Sequence, residues 1–251
     1  MLIDRLWPDP ASDLDDEALL AVTRMPPGRE WLRMNFISAI DGAATRDGLS
    51  GGLGDAADRR LFDLLRWPAD AVLVGAGTAR REEYAAMRLD DRAVAWRTAR
   101  GLAPHPVLVL VSRTLDLDPS SAMFTDAPVR PIVCTVPAGS TEDEDRAQRR
   151  ERLAAVVEII ETGADDVDPL SVRTSLARRG LRHVHGEGGP HVFGSFLAAG
   201  AVDALHLTIA PSLEGGSAGR MANHPTATPT DMRLASVLRS GSELLLQYVR
   251  G

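Results

Sequence analysis

The sequence predicts a single α/β domain built on a mainly parallel sheet. Short apolar runs, typical of buried strands, alternate with helical patterns over one continuous stretch of the 251 residues. Several of these runs end directly in glycine-rich turns, at the edge of the sheet where α/β proteins bind ligands. No repeat, low-complexity tract or linker divides the chain, so one domain is expected.

Eight strands are expected from apolar runs and from alternation. The first, 31–39, alternates between two faces, with Asn35 and Ala39 on one face and Ser38 on the other. Continuous apolar runs such as 107–111 predict strands that are buried on both faces. The full set is 31–39, 71–74, 107–111, 131–136, 156–160, 181–185, 204–209 and 243–249.

Capping residues predict where the intervening helices begin and end. Asp55 and the Asp168-Pro169 pair are typical helix starts, and Pro190 opens a helix that Gly200 should end. Residues 1–30 are expected to form an N-terminal arm, with a short helix at about 15–22, that is draped over the domain formed by 31–251. Further helices are expected after Thr78 and from about Glu142, and a surface loop is expected at 221–230.

Composition excludes several classes of function. A net charge of -7 argues against a nucleic-acid surface, which needs clustered basic charge. All 28 basic residues are arginines, so neither a Schiff-base lysine nor a P-loop lysine is available. Cys134 is the one cysteine, which excludes a disulfide framework and favours a reducing compartment. Without a signal peptide or an apolar span of membrane length, the cytoplasm is the expected location, with no membrane partner.

Three loops that follow strands suit a nucleotide. Gly75-Ala76-Gly77-Thr78 and Gly186-Glu187-Gly188-Gly189 are glycine turns before helix starts, where backbone N–H groups and the helix dipole favour a pyrophosphate. Ser112 and Arg113 follow a third strand and suit a further phosphate, such as the 2′-phosphate that separates NADP from NAD. A tight turn explains a glycine loop alone about as well, and a solvated surface position is the more usual explanation of Arg113 alone. The coincidence of the three loops favours a nucleotide site.

The acidic candidates have ordinary explanations beside functional ones. Asp41 before a glycine is typical of a turn residue that bonds its own backbone. Glu82 fits a solvated helix face. Glu187 is unusual, because a carboxylate among glycines at an anion site must face something other than a phosphate. The histidines show no ligand spacing for a metal, and no Ser/His/Asp pattern is present.

Four short motifs, taken together, carry a family resemblance. They occur in the order Asn35-Phe36-Ile37-Ser38-Ala39-Ile40-Asp41-Gly42, Val74-Gly75-Ala76-Gly77-Thr78, Glu187-Gly188-Gly189-Pro190 and Val202-Asp203 through Ala210-Pro211. From Trp31 onward the chain resembles the pyrimidine reductase of riboflavin biosynthesis, which is related in fold to dihydrofolate reductase. The resemblance implies a dihydrofolate-reductase-like α/β domain over 31–251, with a mostly parallel, mixed eight-stranded sheet flanked by helices. It further implies a homodimer, NADPH as hydride donor, and reduction of 5-amino-6-(5-phosphoribosylamino)uracil to the ribityl compound.

Carried over residue by residue, the resemblance assigns roles. Asn35, Asp41, Glu82 and Glu187 match polar positions on the substrate side, and the three acids would hold the aminopyrimidine or a cationic imine. Arg88 is a candidate for the sugar phosphate. The expected cofactor contacts are Gly75, Gly77, Thr78, Ser112, Arg113, Gly186, Gly188 and Gly189.

Two departures from the family pattern leave the substrate open. Ala39 stands where the family commonly has serine, and Glu82 stands where it has aspartate. A glutamate keeps the charge but adds a methylene, and active sites respond to such shifts. A reductase of another pterin or pyrimidine, dihydrofolate included, therefore stays an alternative, as does a nucleotide-binding module without turnover. A single cysteine excludes the zinc deaminase half that accompanies many relatives.

Overall fold

The computed structural model describes residues 2–139, 144–226 and 229–251. The helix start expected at about Glu142 and part of the loop expected at 221–230 lie outside them. The strands are β1 (Asp4–Trp7), β2 (Trp31–Ala39), β3 (Ala71–Gly75), β4 (Val107–Val111), β5 (Ile132–Thr135), β6 (Glu158–Glu161), β7 (His183–Gly186), β8 (Ala204–Ala210), β9 (Met232–Ser240) and β10 (Glu243–Arg250). The helices are α1 (Asp16–Val22), α2 (Ala56–Arg66), α3 (Ala76–Arg81), α4 (Asp91–Thr98), α5 (Ala122–Thr125), α6 (Glu144–Ala154), α7 (Pro169–Ala177) and α8 (Pro190–Ala198).

The described strands form one mixed sheet in the order β1-β9-β10-β8-β2-β7-β3-β4-β5-β6. From β8 to β6 every neighbouring pair is parallel, whereas β1, β9 and β10 pair antiparallel. The expectation of a mostly parallel, mixed sheet flanked by helices is confirmed. The expected number of eight strands is wrong, because β1 and β9 make ten among the described residues.

The two missed strands have weak patterns. β9 places Ser236 and Ser240 on its buried side and Arg239 on its exposed side, so its apolar residues do not mark one face. β1 has four residues and is followed by prolines, which is untypical of a strand. Tertiary pairing with the neighbouring strands, rather than local pattern, decides both elements.

The predicted arm contributes to the sheet and the core. Its β1 pairs with β9, and Leu19 and Leu20 of α1 are buried beside α2. Arg5 and Ala11 exchange backbone hydrogen bonds of 2.7 and 2.9 Å, so the chain after β1 covers the outer edge of that strand. A covered edge protects the sheet from pairing with other chains.

Alternation along the strands divides the core between two faces. Leu73 packs with α7 and α8 on one face, whereas Val72 and Val74 pack with α3, α5 and α6 on the other. On that second face, α1 and α2 cover β9 and β10. Between α2 and α3 the sheet is left partly uncovered, and the cleft described below lies there.

The helix boundaries expected from capping residues are confirmed. The Asp55 carboxylate accepts the N–H of Ala57 at 2.6 Å before α2, and Pro190 begins α8. Gly200 follows α8 with a φ of +65°, a conformation in which a side chain would be strained. None of the helices in the described part of the chain is long and apolar enough to cross a bilayer.

Candidate active site

A cleft of about 460 Å³ opens between α2 and the segment from α3 to Met87. Asn35, Phe36 and Ile37 of β2 line its floor, and the glycine turn after β7 closes one end. This volume is within the range of small-molecule sites, and the floor strand is central in the sheet.

One face of α2 forms the polar wall of the cleft. Its lining residues recur at helical spacing, opposite the buried residues Leu61, Leu64 and Leu65. The sequence predicted only the helix cap among these residues, although a polar stripe beside an apolar one on a helix indicates such a wall. They are Asp55, Asp58, Arg59, Phe62, Asp63 and Arg66.

Glu187 is held by two side chains from other elements. The guanidinium of Arg66 donates to both carboxylate oxygens, from Nε to Oε1 at 2.6 Å and from Nη2 to Oε2 at 2.8 Å. The Tyr84 hydroxyl donates to Oε2 at 2.9 Å. The Glu187 side chain is fully buried, whereas 21% of the Arg66 side chain is exposed. The group that this cluster presents to the cleft is therefore the guanidinium, not the predicted catalytic carboxylate.

The cluster shifts the ionisation of its members. Burial alone would lower the pKa of Arg66, but the charge and hydrogen bonds of Glu187 outweigh it and raise that pKa. Burial, followed by the Glu187 charge, raises the pKa of Tyr84 well above its usual value. Tyr84 therefore stays protonated and remains a donor to Glu187.

A buried arginine and histidine lie beneath this cluster. Arg33 donates from Nε to Nδ1 of His185 at 3.2 Å, so neutral His185 carries its hydrogen on Nε2, 3.5 Å from Oε1 of Glu187. Burial, then the Arg33 charge, lowers the pKa of His185 well below its ordinary value. Burial also lowers the pKa of Arg33 to about 9. The Arg33–His185 pair thus supports the turn that carries Glu187.

The two glycine turns meet, because β7 and β3 are neighbours in the sheet. The N–H of Gly75 donates to the carbonyl of Gly188 at 2.8 Å. A Cβ on Gly189 would lie 2.0 Å from Oγ1 of Thr78, so only glycine permits this approach. A Cβ on Gly186 would lie 2.2 Å from Sδ of Met34, so Gly186 is explained by packing against β2.

The first turn differs from its expected form. α3 begins at Ala76, so Gly77 and Thr78 belong to a helix rather than to a loop. Gly77 is exposed, and a Cβ there would meet nothing within 4 Å. Thr78 lines the cleft, whereas Gly75 and Gly77 do not.

Ser112 and Arg113 follow β4, the neighbour of β3, and lie outside the cleft lining. Ser112 is 4% exposed, and its hydroxyl accepts the N–H of Leu115 at 3.1 Å, which explains this serine as a turn residue. Arg113 has an exposed side chain beside the edge that carries the first glycine turn. All three predicted loops therefore follow adjacent parallel strands, β7, β3 and β4, at the same edge of the sheet.

Two predicted acids, Glu82 and Asp41, accept hydrogen bonds that fix the glycine-rich loop after β2. Glu82 lines the cleft, and its Oε1 accepts both the N–H and the hydroxyl of Ser50 at 3.1 Å. The Asp41 carboxylate accepts the N–H groups of Gly215 at 2.7 Å and Glu214 at 3.0 Å. Those bonds, the Gly215 bond foremost, lower the pKa of Asp41, which is exposed and outside the cleft lining.

The structure separates the two predicted substrate residues. Asn35 is half-buried on the cleft floor. Arg88 is exposed, donates to the carbonyl oxygen of Asp126 at 3.0 Å and does not line the cleft. Arg88 follows Met87, the last lining residue of this segment, so its contact with the sugar phosphate stays a prediction that the cleft lining does not support.

Asp58 is the unpredicted acid with the clearest environment. It is half-buried in the cleft wall, and burial raises its pKa despite a hydrogen bond from the Thr208 hydroxyl. An acid with a raised pKa in a cleft is a candidate for proton transfer. Within the described residues, no three His, Cys, Asp or Glu side chains form a group that could hold a metal ion.

A family profile, curated relatives and a solved structure match the chain. A family profile described as RibD C-terminal domain matches residues 30–246. The chain is 29% identical over 196 residues to the riboflavin biosynthesis protein RibD of Bacillus amyloliquefaciens. That match covers 77% of this chain and 48% of the relative, so the chain spans about half of that protein's length. The chain is also 29% identical over 193 residues to the 2,5-diamino-6-ribosylamino-4(3H)-pyrimidinone 5′-phosphate reductase of Methanothermobacter thermautotrophicus, covering 76% of this chain and 82% of that one.

Among solved structures, a pyrimidine reductase-like protein from Corynebacterium diphtheriae has the same fold. It superposes with a TM-score of 0.81 at 32% sequence identity, and the match covers 92% of this chain and 94% of that one. The α/β architecture expected from the sequence is confirmed by this superposition.

Proposed function

The chain belongs to the RibD C-terminal domain family, and we propose that it reduces 5-amino-6-(5-phosphoribosylamino)uracil to its ribityl product with NADPH. One observation carries the proposal: the cleft is lined both by Asn35 on the substrate side and by Thr78 and Gly189 of the meeting glycine turns. A substrate on the floor strand would lie next to a nucleotide bound along the sheet edge. In open α/β sheets this edge is the usual ligand site.

The residues at this edge fit a dinucleotide. Gly189 caps α8 without a side chain, which leaves backbone N–H groups of the first turn for a pyrophosphate. Thr78, beside Gly189, and Gly188 would border the same group, and exposed Arg113 would reach the 2′-phosphate that distinguishes NADPH from NADH. When bound, the dihydronicotinamide supplies the hydride.

The chain's own residues would orient the substrate and supply a proton. The carboxamide of Asn35 can hydrogen-bond to the pyrimidine from the cleft floor. The ring-opened sugar presents an imine, and reduction places a hydride on C1′ and a proton on the adjacent nitrogen. We assign that proton to Asp58, whose raised pKa keeps it protonated nearer neutrality than an exposed aspartate. Arg66, fixed by Glu187, supplies a positive charge in the same wall.

Substrate identity has one rival that a relative favours. The Methanothermobacter protein, matched over 82% of its length, is named for a diaminopyrimidinone phosphate rather than for the uracil. The two molecules differ at one ring position, where an amino group replaces a carbonyl oxygen. Glu82, which stands where the family has aspartate, lines the cleft, so both substrates are tested.

The experiment presents NADPH with each of three substrates: the ribosylaminouracil phosphate, the diaminopyrimidinone phosphate and dihydrofolate. Cofactor oxidation is followed by absorbance, with and without a chelator, and the product mass is measured. We expect the uracil compound to gain the mass of a hydride and a proton, at a rate unchanged by the chelator. Faster reduction of either other substrate would reassign the reaction, and binding of NADPH without oxidation would indicate a nucleotide-binding module.

The assembly and location follow from the same proposal. We propose a cytoplasmic homodimer, as the family resemblance implies. Size-exclusion chromatography with light scattering at low concentration gives the mass in solution. A stable monomer that retains turnover would show that dimerisation is not required for activity.

A further inference from the structure

The guanidinium of Arg66 has partners on some of its sides and a free nitrogen on another. Glu187 accepts hydrogen bonds from Nε and Nη2, and the centroid of the Phe62 ring lies 4.5 Å from the guanidinium carbon. Nη1 has no hydrogen-bond partner among the described residues, and it is not buried. Because Arg66 lines the cleft and 21% of its side chain is exposed, these free N–H donors are open to the cleft.

This guanidinium is held in one orientation. Two parallel hydrogen bonds to a carboxylate fix the plane of an arginine side chain. Phe62 lies one turn before Arg66 on α2 and also lines the cleft, so the aromatic ring and the guanidinium form one surface of the wall. A group that is fixed before a ligand arrives loses little conformational entropy on binding. The wall therefore carries a preorganised contact surface that is partly aromatic and partly polar.

The charges around Arg66 disfavour an anion at this surface. The buried Glu187 carboxylate already neutralises the guanidinium, and the charge of Asp63, one turn earlier on α2, also acts on it. Glu82 adds a further carboxylate to the cleft lining. A phosphate placed against Nη1 would be repelled by these carboxylates. A neutral ring meets no such repulsion, and guanidinium groups stack on flat aromatic rings and donate to carbonyl oxygens.

We propose that Arg66 and Phe62 form the binding platform for a neutral six-membered heteroaromatic ring, with Nη1 of Arg66 donating to a carbonyl oxygen of that ring. Stacking requires the ring to be flat and aromatic, and the hydrogen bond requires the carbonyl group. That this ring is the substrate's pyrimidine rests on the proposed function, whereas the platform does not. Within that function, Arg66 contacts the substrate from the wall of the cleft, as Asn35 does from its floor.

The first test measures the binding of three small rings to the wild-type protein without a cofactor, by ligand-observed NMR titration. Uracil is flat and carries carbonyl groups. Its reduced form, 5,6-dihydrouracil, keeps both carbonyl groups but is not aromatic, and pyrimidine is aromatic but has no carbonyl group. We expect uracil to bind with a Kd about tenfold lower than that of either other ring, because a stacked base or a hydrogen bond to a charged group contributes about that much. An equal Kd for uracil and either other ring overturns the proposal, as does displacement of uracil by inorganic phosphate.

Two variants separate the parts of the platform. Arg66→Lys keeps a positive charge beside Glu187 but loses the planar group and its paired hydrogen bonds, so the Kd for uracil should rise about tenfold. Phe62→Leu keeps an apolar side chain and the Arg66–Glu187 pair, and it guards against an Arg66→Lys protein that fails to fold. Because the aromatic ring beside the guanidinium is gone, the Kd of this variant should rise about two- to fivefold. Arg81→Lys, at an exposed position of the cleft lining, is the matched control and should bind uracil as the wild type does.

Loss of uracil binding must follow the planar group and the aromatic ring. An unchanged Kd in Phe62→Leu, or an equal rise in Arg66→Lys and Arg81→Lys, overturns the proposal. In the reductase assay, Phe62→Leu should raise KM with little change in kcat, because stacking holds the substrate and the transition state alike. A fall in kcat at constant KM overturns the substrate contact. If no substrate is reduced although uracil binds as expected, the proposed function fails and the platform stands.

Discussion

The Arg66 guanidinium donates two hydrogen bonds to the Glu187 carboxylate, from Nε to Oε1 at 2.6 Å and from Nη2 to Oε2 at 2.8 Å. The two residues are 121 positions apart, and the contact joins the end of α2 to the turn after β7. Because the Glu187 side chain is fully buried, its charge acts on the cleft through Arg66. We therefore expect Glu187 to act through Arg66 as a positioning residue, so that its substitution affects the fold as well as turnover.

Glu187→Gln should lower both stability and turnover. The amide cannot accept two charged hydrogen bonds, and one such bond contributes about 1.5–3 kcal/mol. Arg66 is partly exposed and can regain water, so we expect a loss of about 2–3 kcal/mol by urea unfolding. Tyr84→Phe, which removes only the hydroxyl contact, is the control and should lose about 1 kcal/mol. An unchanged melting temperature with low turnover would instead favour direct contact of Glu187 with the substrate.

Asp58→Asn should reduce turnover far more than it reduces binding. If Asp58 gives the proton, its loss removes general acid catalysis, about 10²–10⁴-fold in kcat, with little change in KM. Asp63→Asn, on the same wall of the cleft, is the matched control and should cause a smaller loss. Equal losses in the two variants would assign the effect to the charge of the wall rather than to a proton donor.

Most of the strands and the meeting of the glycine turns could be predicted from the sequence. Apolar runs and caps predicted eight of the ten described strands, and parallel order made the loops after β7, β3 and β4 neighbours. The partners of Glu187 could not be read, because Arg66 and Tyr84 come from distant segments and only the packed sheet brings them together. Glu187 was nevertheless marked as unusual, since a carboxylate among glycines needed a partner.

The burial of certain polar side chains could not be predicted from the sequence either. Arg33 alternates with apolar residues in β2, a pattern that predicts an exposed side chain. In the structure it is fully buried and donates hydrogen bonds to the carbonyl oxygens of Thr23 and Leu65. Glu243, at the start of β10, would likewise be predicted to be exposed, yet it is buried. Local pattern gives the face of a strand, but the elements packed on that face decide whether it meets water, as the ends of α1 and α2 do for Arg33.

The two buried histidines should make the fold sensitive to acid. Burial, then the Arg33 charge, lowers the pKa of both His185 and His206, so the unfolded chain binds more protons below about pH 6.5. Stability is therefore lost as the pH falls, by about 2 kcal/mol from pH 6.5 to 5.5 for the pair. Glu243, with its raised pKa, acts in the opposite direction and offsets about 1 kcal/mol of this.

The histidine effect is measured in the Glu243→Gln background by urea unfolding at the two pH values. We expect a loss of about 2 kcal/mol there and about 1 kcal/mol when His206→Gln is added, because one titrating group is gone. His191→Gln, at an exposed position of α8, is the control and should change nothing. An equal loss with and without His206 would mean that another group titrates.

Arg113→Ala tests the choice between NADPH and NADH. Arg113 is exposed beside the sheet edge that carries the glycine turns, and Arg146 of α6 donates to its carbonyl oxygen at 3.1 Å, which fixes the backbone there. A hydrogen bond to a charged group contributes about 1.5–3 kcal/mol, which is about ten- to a hundredfold in Kd for NADPH. NADH has no 2′-phosphate, so its Kd should change little. Arg178→Ala, at an exposed position after α7, should leave both values unchanged. If Arg113→Ala weakens both cofactors equally, the arginine contacts the pyrophosphate or supports the loop; if neither weakens, it is a solvated surface residue.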